Sequence, residues 1–341
     1  MPRVGVVGAG GLGFHHARIL RDLPVVRFGG FYDSRAERAA TVAAELGITA
    51  HDSLDALLAE VDAVTIAVPT PAHFDVAGRA IAAGKHVLIE KPITTTVAEA
   101  DELLDMARKS GVVVQIGHVE RFNAAIRAAL PHIDEPRFIQ SERLAPFNPR
   151  GSDVAVVLDL MIHDIDLILT LAVGDPQSIA AVGVPVLTPM VDIANARITF
   201  ASGAVANITA SRISRERVRK IRIFQKTGYL SLDLAAGNGE FFRLRRNLPL
   251  EKLAAAPLDF SQFVERVELT APAEEPLRLE FESFARALTG EAPPVVTGED
   301  GRRALAVALE IVREIERTLP QLAGSVESGL GRSRPEPTAL G

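Results

Sequence analysis

The chain has 341 residues, of which 48% are apolar and 23% charged, so it can form a sizeable core and is not disordered as a whole. Its formal net charge of −6 argues against general affinity for nucleic acid, which requires a basic surface. Cysteine is absent, which excludes disulfides, a thiolate nucleophile and Cys-ligated metal centres. No apolar run approaches the ~20 residues of a membrane helix and no cleavable signal is recognisable, so we expect a cytoplasmic protein with neither nucleic-acid nor membrane partners.

The first part of the chain alternates between short β-branched strands and longer helical stretches. Strands are predicted at Val4–Val7, Val25–Tyr32, Ala63–Val68, His86–Ile89 and Val112–Ile116. Helices are predicted between them at Leu12–Leu23, Arg35–Leu46, Ala72–Ala83 and Val97–Ser110. This alternation is typical of an α/β fold with a doubly wound parallel sheet, and we expect residues 1–120 to form a Rossmann-type nucleotide-binding domain.

The pattern then changes to many short strands, several of them joined by turns that contain glycine. The predicted strands are Arg137–Leu144, Ser178–Val186, Asp192–Phe200, Ala204–Ile213, Val218–Gln225, Tyr229–Leu234 and Phe241–Arg245. Helices are predicted at Val154–Leu171, Leu277–Thr289 and Asp300–Leu319. We therefore expect a second α/β domain over residues 121–319, with a large open, mostly antiparallel sheet and C-terminal helices that can pack back on the first domain.

Two further expectations concern the surface and the end of the chain. A large open sheet needs its second face covered, so we expect a homo-oligomer formed through the second domain. Residues 324–341 are rich in Gly, Ser and Pro without periodicity, which predicts a disordered tail.

The segment Gly8-Ala-Gly-Gly-Leu-Gly13 matches G-x-G-x-x-G between a predicted strand and helix. Such glycines permit a tight turn and let the backbone approach a pyrophosphate at the helix N-terminus. Asp33 ends the second strand about 20 residues further on, where a carboxylate binds the ribose hydroxyls of NAD and repels a 2′-phosphate. We therefore expect NAD as cofactor, while Arg35 and Arg38 nearby leave NADP open.

Lys91 follows the predicted strand His86–Ile89 in the tripeptide Glu90-Lys91-Pro92. In an open parallel sheet the carboxyl ends of the strands face the ligand crevice, so we expect Lys91 near the nicotinamide. The residues expected to bind the cofactor are Gly8, Gly10, Gly11, Leu12, Gly13, Asp33, Pro69, Thr70, His73, Glu90 and Lys91. For His73, a purely structural role at a helix start is the alternative.

Asp159, His163 and Asp166 form a polar stripe on an otherwise apolar predicted helix. Helical spacing places the three within about 60° of one another, and a polar stripe on a buried helix is costly unless it is paired or faces a polar cavity. Oxidation of an alcohol needs a base for the hydroxyl proton and a cation for the developing alkoxide. We therefore expect His163 to act as base, Asp159 to orient it and Lys91 to stabilise the oxyanion. No histidine shows metal-ligand spacing, so no metal is expected.

Taken together, these motifs resemble the Gfo/Idh/MocA family of NAD(P)-dependent sugar and inositol oxidoreductases. The glycine loop, Glu90-Lys91-Pro92, the Asp159-x-x-x-His163 pair and the later Val296–Gly301 segment match the family in order and approximate spacing. The resemblance implies catalytic roles for Lys91, Asp159 and His163. Met161 stands where many members have glycine, which indicates a distinct branch.

Three segments resemble the branch that oxidises the 3-hydroxyl of UDP-N-acetylglucosamine, whose keto product an aminotransferase converts to a diamino sugar for lipid A. They are Gly117–Asn123, Asp153–Asp166 and Ala206–Arg212. A nucleotide-sugar substrate needs cations for its diphosphate. The candidate substrate contacts are Arg121, Asn123, Arg143, Arg150 and Arg212. The other basic residues between positions 212 and 222 are expected to form a solvated strand face.

Two alternatives remain open at this point. The first is the same chemistry on a free sugar, an inositol or a different nucleotide sugar. The second is a non-catalytic NAD-binding regulator, because folds of this kind can lose their chemistry. The presence of Lys91, Asp159 and His163 together favours an enzyme.

Overall fold

The protein is represented by a computed structural model that describes residues 1–149, 154–172, 174–245 and 263–329, with side chains as far as residue 319. The final helix continues to Gly329 and so includes the first residues of the predicted tail. The rest of that predicted tail, residues 330–341, lies outside the described residues.

The first domain contains a parallel five-stranded sheet in the order β2-β1-β3-β4-β5, as the alternating pattern predicts. Its strands are β1 (Arg3–Val7), β2 (Arg27–Tyr32), β3 (Ala63–Ile66), β4 (His86–Glu90) and β5 (Val114–Gly117). Its helices are α1 (Gly11–Asp22), α2 (Ala36–Leu46), α3 (Leu54–Glu60), α4 (His73–Ala82) and α5 (Val97–Ser110). α3 was not predicted, because its seven residues are too few to show a clear helical period.

The second sheet is mixed and mostly antiparallel, with the order β13-β12-β11-β10-β6-β9-β8-β7 among the described residues. Only β6 and β9 pair in parallel there. The strands are β6 (Phe138–Leu144), β7 (Pro176–Val184), β8 (Ile193–Phe200), β9 (Val205–Ser211), β10 (Val218–Gln225), β11 (Gly228–Asp233), β12 (Asn238–Leu244) and β13 (Val264–Leu269). β13 was not predicted, and half of its six residues are charged.

The predicted helix over Val154–Leu171 is not a uniform α-helix. It begins with a π-helical turn at Val157–Met161, where the N–H of Ile162 donates to the carbonyl of Val157, and continues as α7 (Ile162–Leu171). A π turn inserts an extra residue into the helical repeat, so the residues before it are rotated relative to those after it. The uniform spacing assumed for the Asp159–His163–Asp166 stripe is therefore wrong.

Three further helices complete the two domains. A short helix α6 (Ala124–Ala129) follows the first domain and packs near β11 and β12. α8 (Pro276–Leu288) packs against α1, and its Phe281 and Phe284 complete the core of the first domain. α9 (Gly298–Gly329) contacts β5 and α5 at its start and α7 and β7 further on. The carboxyl edge of the parallel sheet thereby faces α7.

Within the described residues, no helix combines the length and the apolar composition needed to cross a membrane.

Candidate active site

A cavity of about 680 Å³ opens at the carboxyl ends of β1, β2 and β3, and Gly8, Gly10, Asp33 and Pro69 contribute to its lining. A Cβ atom on Gly13 would lie 1.9 Å from the carbonyl oxygen of Gly8, so only glycine allows this turn to close. A Cβ atom on Gly10 would meet nothing within 4 Å. The space in front of Gly10, at the N-terminus of α1, therefore fits the pyrophosphate of a dinucleotide.

Asp33 is oriented by the backbone around it. Its Oδ2 accepts the N–H of Ala9 at 2.7 Å and its Oδ1 accepts the N–H of Arg35 at 2.9 Å. Although burial alone raises the pKa of Asp33, these bonds outweigh it and lower that pKa, so the carboxylate is charged. Arg38 donates to the carbonyl of Ala9 at 2.6 Å, which ties α2 to the glycine loop. A fixed carboxylate at this position fits the ribose hydroxyls of NAD.

The structure separates the other expected cofactor residues into two groups. Gly11 and Leu12 are exposed in the first turn of α1, next to the cavity, and Thr70 begins a 3₁₀ turn beside Pro69. His73 is 1% exposed, with ring nitrogens 2.8 and 3.0 Å from the carbonyl oxygens of Pro92 and Val68. The position of His73 therefore fits the purely structural role, since both of its ring nitrogens contact backbone carbonyl oxygens.

Glu90 is buried between the sheet and α1. Its Oε1 lies 3.0 Å from Nε2 of His16, whose Nδ1 lies 3.1 Å from the hydroxyl of Thr65, and its Oε2 accepts the N–H of Lys91 at 3.2 Å. These contacts hold the end of β4 in place, so Glu90 positions Lys91 and does not line the cofactor cavity.

Lys91 contacts Asp159 across the interface between the two domains. Its Nζ donates to the main-chain carbonyl of Asp159 at 2.7 Å and lies 3.6 Å from the Oδ1 of the same residue. Burial lowers the pKa of Lys91, although the charges of Asp159 and Glu90 act in the opposite direction. The lysine side chain is 17% exposed, which leaves room for a ligand to reach it.

His163 follows the π turn and does not bond to Asp159, contrary to the expected orienting hydrogen bond. Its Nδ1 is buried and has no hydrogen-bond partner. Burial, together with the positive charges of Lys91 and Arg143, lowers the pKa of His163 well below its usual value. The imidazole is therefore neutral at physiological pH, which is the state that accepts a proton.

Two arginines clamp α7 on either side of His163. Arg143 donates through Nε and Nη2 to both oxygens of Asp164, at 2.8 and 2.9 Å, and through Nη1 to Glu120 at 2.8 Å. Arg121 donates through Nε and Nη2 to both oxygens of Asp166, each at 2.7 Å. These bidentate pairs fix the helix rotation that presents His163.

Arg143 is buried, and its three donor nitrogens all meet carboxylates. Although burial alone lowers the pKa of Arg143, the charges of Asp164 and Glu120 raise it above its usual value. Arg121 and Arg143 were expected to contact substrate, but the structure uses both in buried ion pairs. Asn123 is also structural, since its Oδ1 accepts the N–H of Ala125 and caps α6.

A second cavity, of about 490 Å³, lies beside Asp159 and Leu160 at the end of β6. The arginines that line it are Arg143, Arg212, Arg217 and Arg219, and the segment 144–149 forms another wall. Arg212 is 4% exposed and also donates to the carbonyl of Val154, with Asp192 at 3.9 Å, so much of its side chain holds the surrounding loops. Arg150 lies outside the described residues.

Four charged residues of this region were not predicted to belong to the site. Glu120 and Asp164 are the buried partners of Arg143, and neither belongs to a recognised spacing. Arg217 and Arg219 were placed on a solvated strand face, but they line the cavity. The signal in the sequence that could have found them is the dense run of basic residues just before and at the start of β10.

The fold and the site define an NAD-binding oxidoreductase, and the chain belongs to the Gfo/Idh/MocA family. The family's NAD-binding Rossmann fold matches residues 2–118, and its C-terminal domain matches residues 114–231.

Similarity to characterised relatives extends over most of the chain. It is 41% identical over 318 residues to UDP-N-acetylglucosamine 3-dehydrogenase from Acidithiobacillus ferrooxidans, which covers 93% of this chain and 98% of the relative. A solved structure of that enzyme superposes with a TM-score of 0.85, covering 93% of this chain and 98% of the other at 40% identity. The NAD-dependent scyllo-inositol 2-dehydrogenase of Bacillus subtilis is 30% identical, over 62% of this chain and 68% of its own.

Proposed function

We propose that the protein oxidises the 3-hydroxyl of UDP-N-acetylglucosamine to the 3-keto sugar, with NAD as the oxidant. The arginine-lined cavity beside Asp159 is the observation that carries this proposal, because a diphosphate needs several cations. The similarity to the Acidithiobacillus enzyme over nearly the whole chain supports the same substrate.

The catalytic roles follow from the charges around the reacting hydroxyl. NAD, held by Gly8, Gly10 and Asp33, supplies the hydride acceptor when it is bound. Neutral His163 accepts the proton of the hydroxyl, since nearby cations and burial keep its own proton off. The ammonium of Lys91 stabilises the developing alkoxide, and Asp159 holds that ammonium in place through its carbonyl and carboxylate.

The diphosphate would meet the outer arginines of the cavity. Arg143 donates its hydrogen bonds to Asp164 and Glu120. By contrast, Arg217 is exposed and the side chain of Arg219 is 41% exposed. We therefore assign the substrate's phosphates to Arg217 and Arg219, with Arg212 closing the inner end of the cavity.

The cellular setting is proposed with the reaction. The protein would act in the cytoplasm and hand its keto product to an aminotransferase on the way to lipid A. A homo-oligomer would form through the outer face of the second sheet, where four partly buried aromatic rings stack with centroids 4.8 to 5.6 Å apart. Those rings are Phe138, Phe224, Tyr229 and Phe242.

The test is a turnover measurement with purified enzyme, NAD and UDP-N-acetylglucosamine, followed at the absorbance band of reduced nicotinamide. We expect turnover with the UDP-sugar and none with free N-acetylglucosamine, scyllo-inositol or myo-inositol. The variant Arg217→Met should raise KM for the UDP-sugar by about tenfold, equivalent to the loss of one charged contact of about 1.4 kcal/mol. Lys220→Met, three residues further along the chain on β10 and outside the cavity lining, serves as the matched control.

Turnover of inositol in place of the UDP-sugar would replace the substrate assignment. An enzyme that binds NAD but oxidises none of these alcohols would favour the regulator.

A further inference from the structure

Phe147 lies in the wall of the arginine-lined cavity, and the proposed reaction does not use it. It is 43% exposed, and among the described side chains it is the one exposed phenylalanine. A single exposed apolar residue is common on protein surfaces, but this one shares its cavity with Arg212, Arg217 and Arg219. An aromatic ring beside several cations fits a ligand that has both a flat apolar group and a negative charge.

The backbone on the N-terminal side of Phe147 is held in place. The N–H of Ala145 donates to the carbonyl of Ser211 at 2.8 Å, and the carbonyl of Ala145 accepts the N–H of Ser214 at 3.0 Å. Pro146 then fixes one backbone angle directly before Phe147, and a second proline follows two residues after it. A stiff segment therefore presents the ring, so little conformational entropy is lost when a ligand orders it.

The cavity leads from the catalytic residues to the surface, and Phe147 lies at its outer end. Asp159, which contacts the catalytic lysine, lines the inner end. Along the wall formed by β6 and the residues after it, exposure rises from 3% at Arg143 to 43% at Phe147. Arg219 pairs in register with Arg143, and Arg217 lies two residues nearer the outer end of the same wall. The cations therefore lie between the catalytic end and the aromatic ring.

A nucleotide sugar carries its chemical groups in the same order. The reacting sugar must lie at the end of the cavity lined by Asp159, and the diphosphate comes next, where the arginines are. The ribose and the base follow, so the base is the group that reaches the outer end. Stacking on an aromatic side chain is a general way of holding a base, because every base has a π face.

We propose that Phe147 is the platform on which the nucleobase of the substrate stacks, at the outer end of the cavity. The base lies far from the reacting hydroxyl, so stacking strengthens substrate binding and leaves the chemical step unchanged. The ring favours a nucleotide sugar over a free sugar, whereas stacking alone does not distinguish uracil from other bases. This inference rests on the proposed function, because it takes a nucleotide sugar as the substrate.

The first test uses the absence of tryptophan from the chain. Phe147→Trp in the full-length protein places a single indole fluorophore at the proposed platform. Leu130→Trp is the matched control, because Leu130 is 47% exposed and lies outside the cavity lining. Both variants are titrated with UMP and with N-acetylglucosamine 1-phosphate, which represent the base half and the sugar half of the substrate. We expect saturable quenching only when UMP is added to Phe147→Trp.

The second test separates substrate binding from chemistry. Phe147→Ala should raise both KM for UDP-N-acetylglucosamine and the inhibition constant of UMP by about tenfold, equivalent to about 1.4 kcal/mol, with kcat unchanged. Phe147→Tyr keeps the ring and should retain the wild-type constants. Phe147→Leu keeps an apolar side chain without a ring and should behave like Phe147→Ala. Inhibition by N-acetylglucosamine 1-phosphate should be equal in all four proteins.

Wild-type KM in Phe147→Ala would overturn the platform, and so would wild-type constants in Phe147→Leu, because that result indicates an apolar contact without stacking. Quenching of Phe147→Trp by N-acetylglucosamine 1-phosphate or by NAD, but not by UMP, would also overturn it, since the ring would then face the sugar or the cofactor. Failure of the wild-type enzyme to oxidise UDP-N-acetylglucosamine counts against the proposed function alone, because the UMP titration of Phe147→Trp needs no turnover.

Discussion

The ammonium of Lys91 lies 2.7 Å from the main-chain carbonyl oxygen of Asp159 and 3.6 Å from its carboxylate. This contact joins the end of a strand in the first domain to the π turn of the second. It therefore couples the position of the proposed oxyanion-stabilising group to the packing of the two sheets. Asp159 therefore positions Lys91, whereas the arginine pairs that hold α7 position His163.

Lys91→Met should reduce kcat for UDP-N-acetylglucosamine by about 10²–10⁴-fold, because the alkoxide loses its cation. The Kd for NAD, measured by fluorescence or calorimetry, should change little. Lys109→Met is the matched control, since Lys109 is exposed and pairs with the nearby Asp105 on α5, and so should leave turnover intact. Turnover near the wild-type rate in Lys91→Met would remove the lysine from the mechanism.

The pH dependence of kcat/KM should reflect the lowered pKa values of both His163 and Lys91. The pKa of His163 lies well below 6.5, so the base stays neutral and the acid limb should fall below pH 6.5. The pKa of Lys91 lies below 10.5, so loss of its proton should bring the alkaline limb below pH 10.5. An acid limb above pH 6.5 would contradict a neutral His163, and His163→Asn should lack the wild-type limb altogether.

Arg143→Met should destabilise the protein by about 3–5 kcal/mol, because Glu120 and Asp164 are left buried without their cation. Urea unfolding with a single transition measures this difference. Arg222→Met, on the neighbouring strand β10 and exposed, should change stability by no more than about 0.5 kcal/mol. Equal effects of the two substitutions would mean that the buried network contributes nothing.

Gly10→Ala and Gly13→Ala should separate cofactor binding from folding. The Cβ of Gly10→Ala enters open space, so we expect wild-type thermal stability with NAD binding weakened by about tenfold or more through contact with the pyrophosphate. The Cβ of Gly13→Ala would meet the Gly8 carbonyl, so stability should fall by about 1–3 kcal/mol. Unchanged NAD affinity in Gly10→Ala would place the pyrophosphate elsewhere.

Glu280→Gln should stabilise the protein increasingly as the pH rises above about 4.5. Burial raises the folded-state pKa of Glu280 well above 4.5, so the unfolded wild-type chain loses this proton at a lower pH than the folded one. The free energy of unfolding of the wild type therefore falls as the pH rises above about 4.5. Glutamine removes this loss and keeps the shape. Unfolding free energies of both proteins at several pH values measure the difference, and a constant difference across pH would show that Glu280 is charged in the folded state.

Local patterns in the sequence determined the parallel sheet and the cofactor loop. β-branched runs separated by amphipathic stretches predict buried strands and covering helices, and the glycine spacing at Gly8–Gly13 reflects a backbone turn that other residues cannot make. Lys91 was also predictable, because a residue after a parallel strand lies at the ligand edge by the rule of the fold.

The π turn before helix α7 could not be predicted from local patterns. One extra residue in the turn Val157–Met161 changes which face Asp159 presents, and the hydrophobic period barely registers it. Arg143, Glu120 and Asp164 form one network although they come from three elements, and charge runs near Arg217 read as ordinary surface. The sequence specifies which side chains are charged, but their pairing depends on how the two sheets pack, because burial is what makes each isolated charge require its partner.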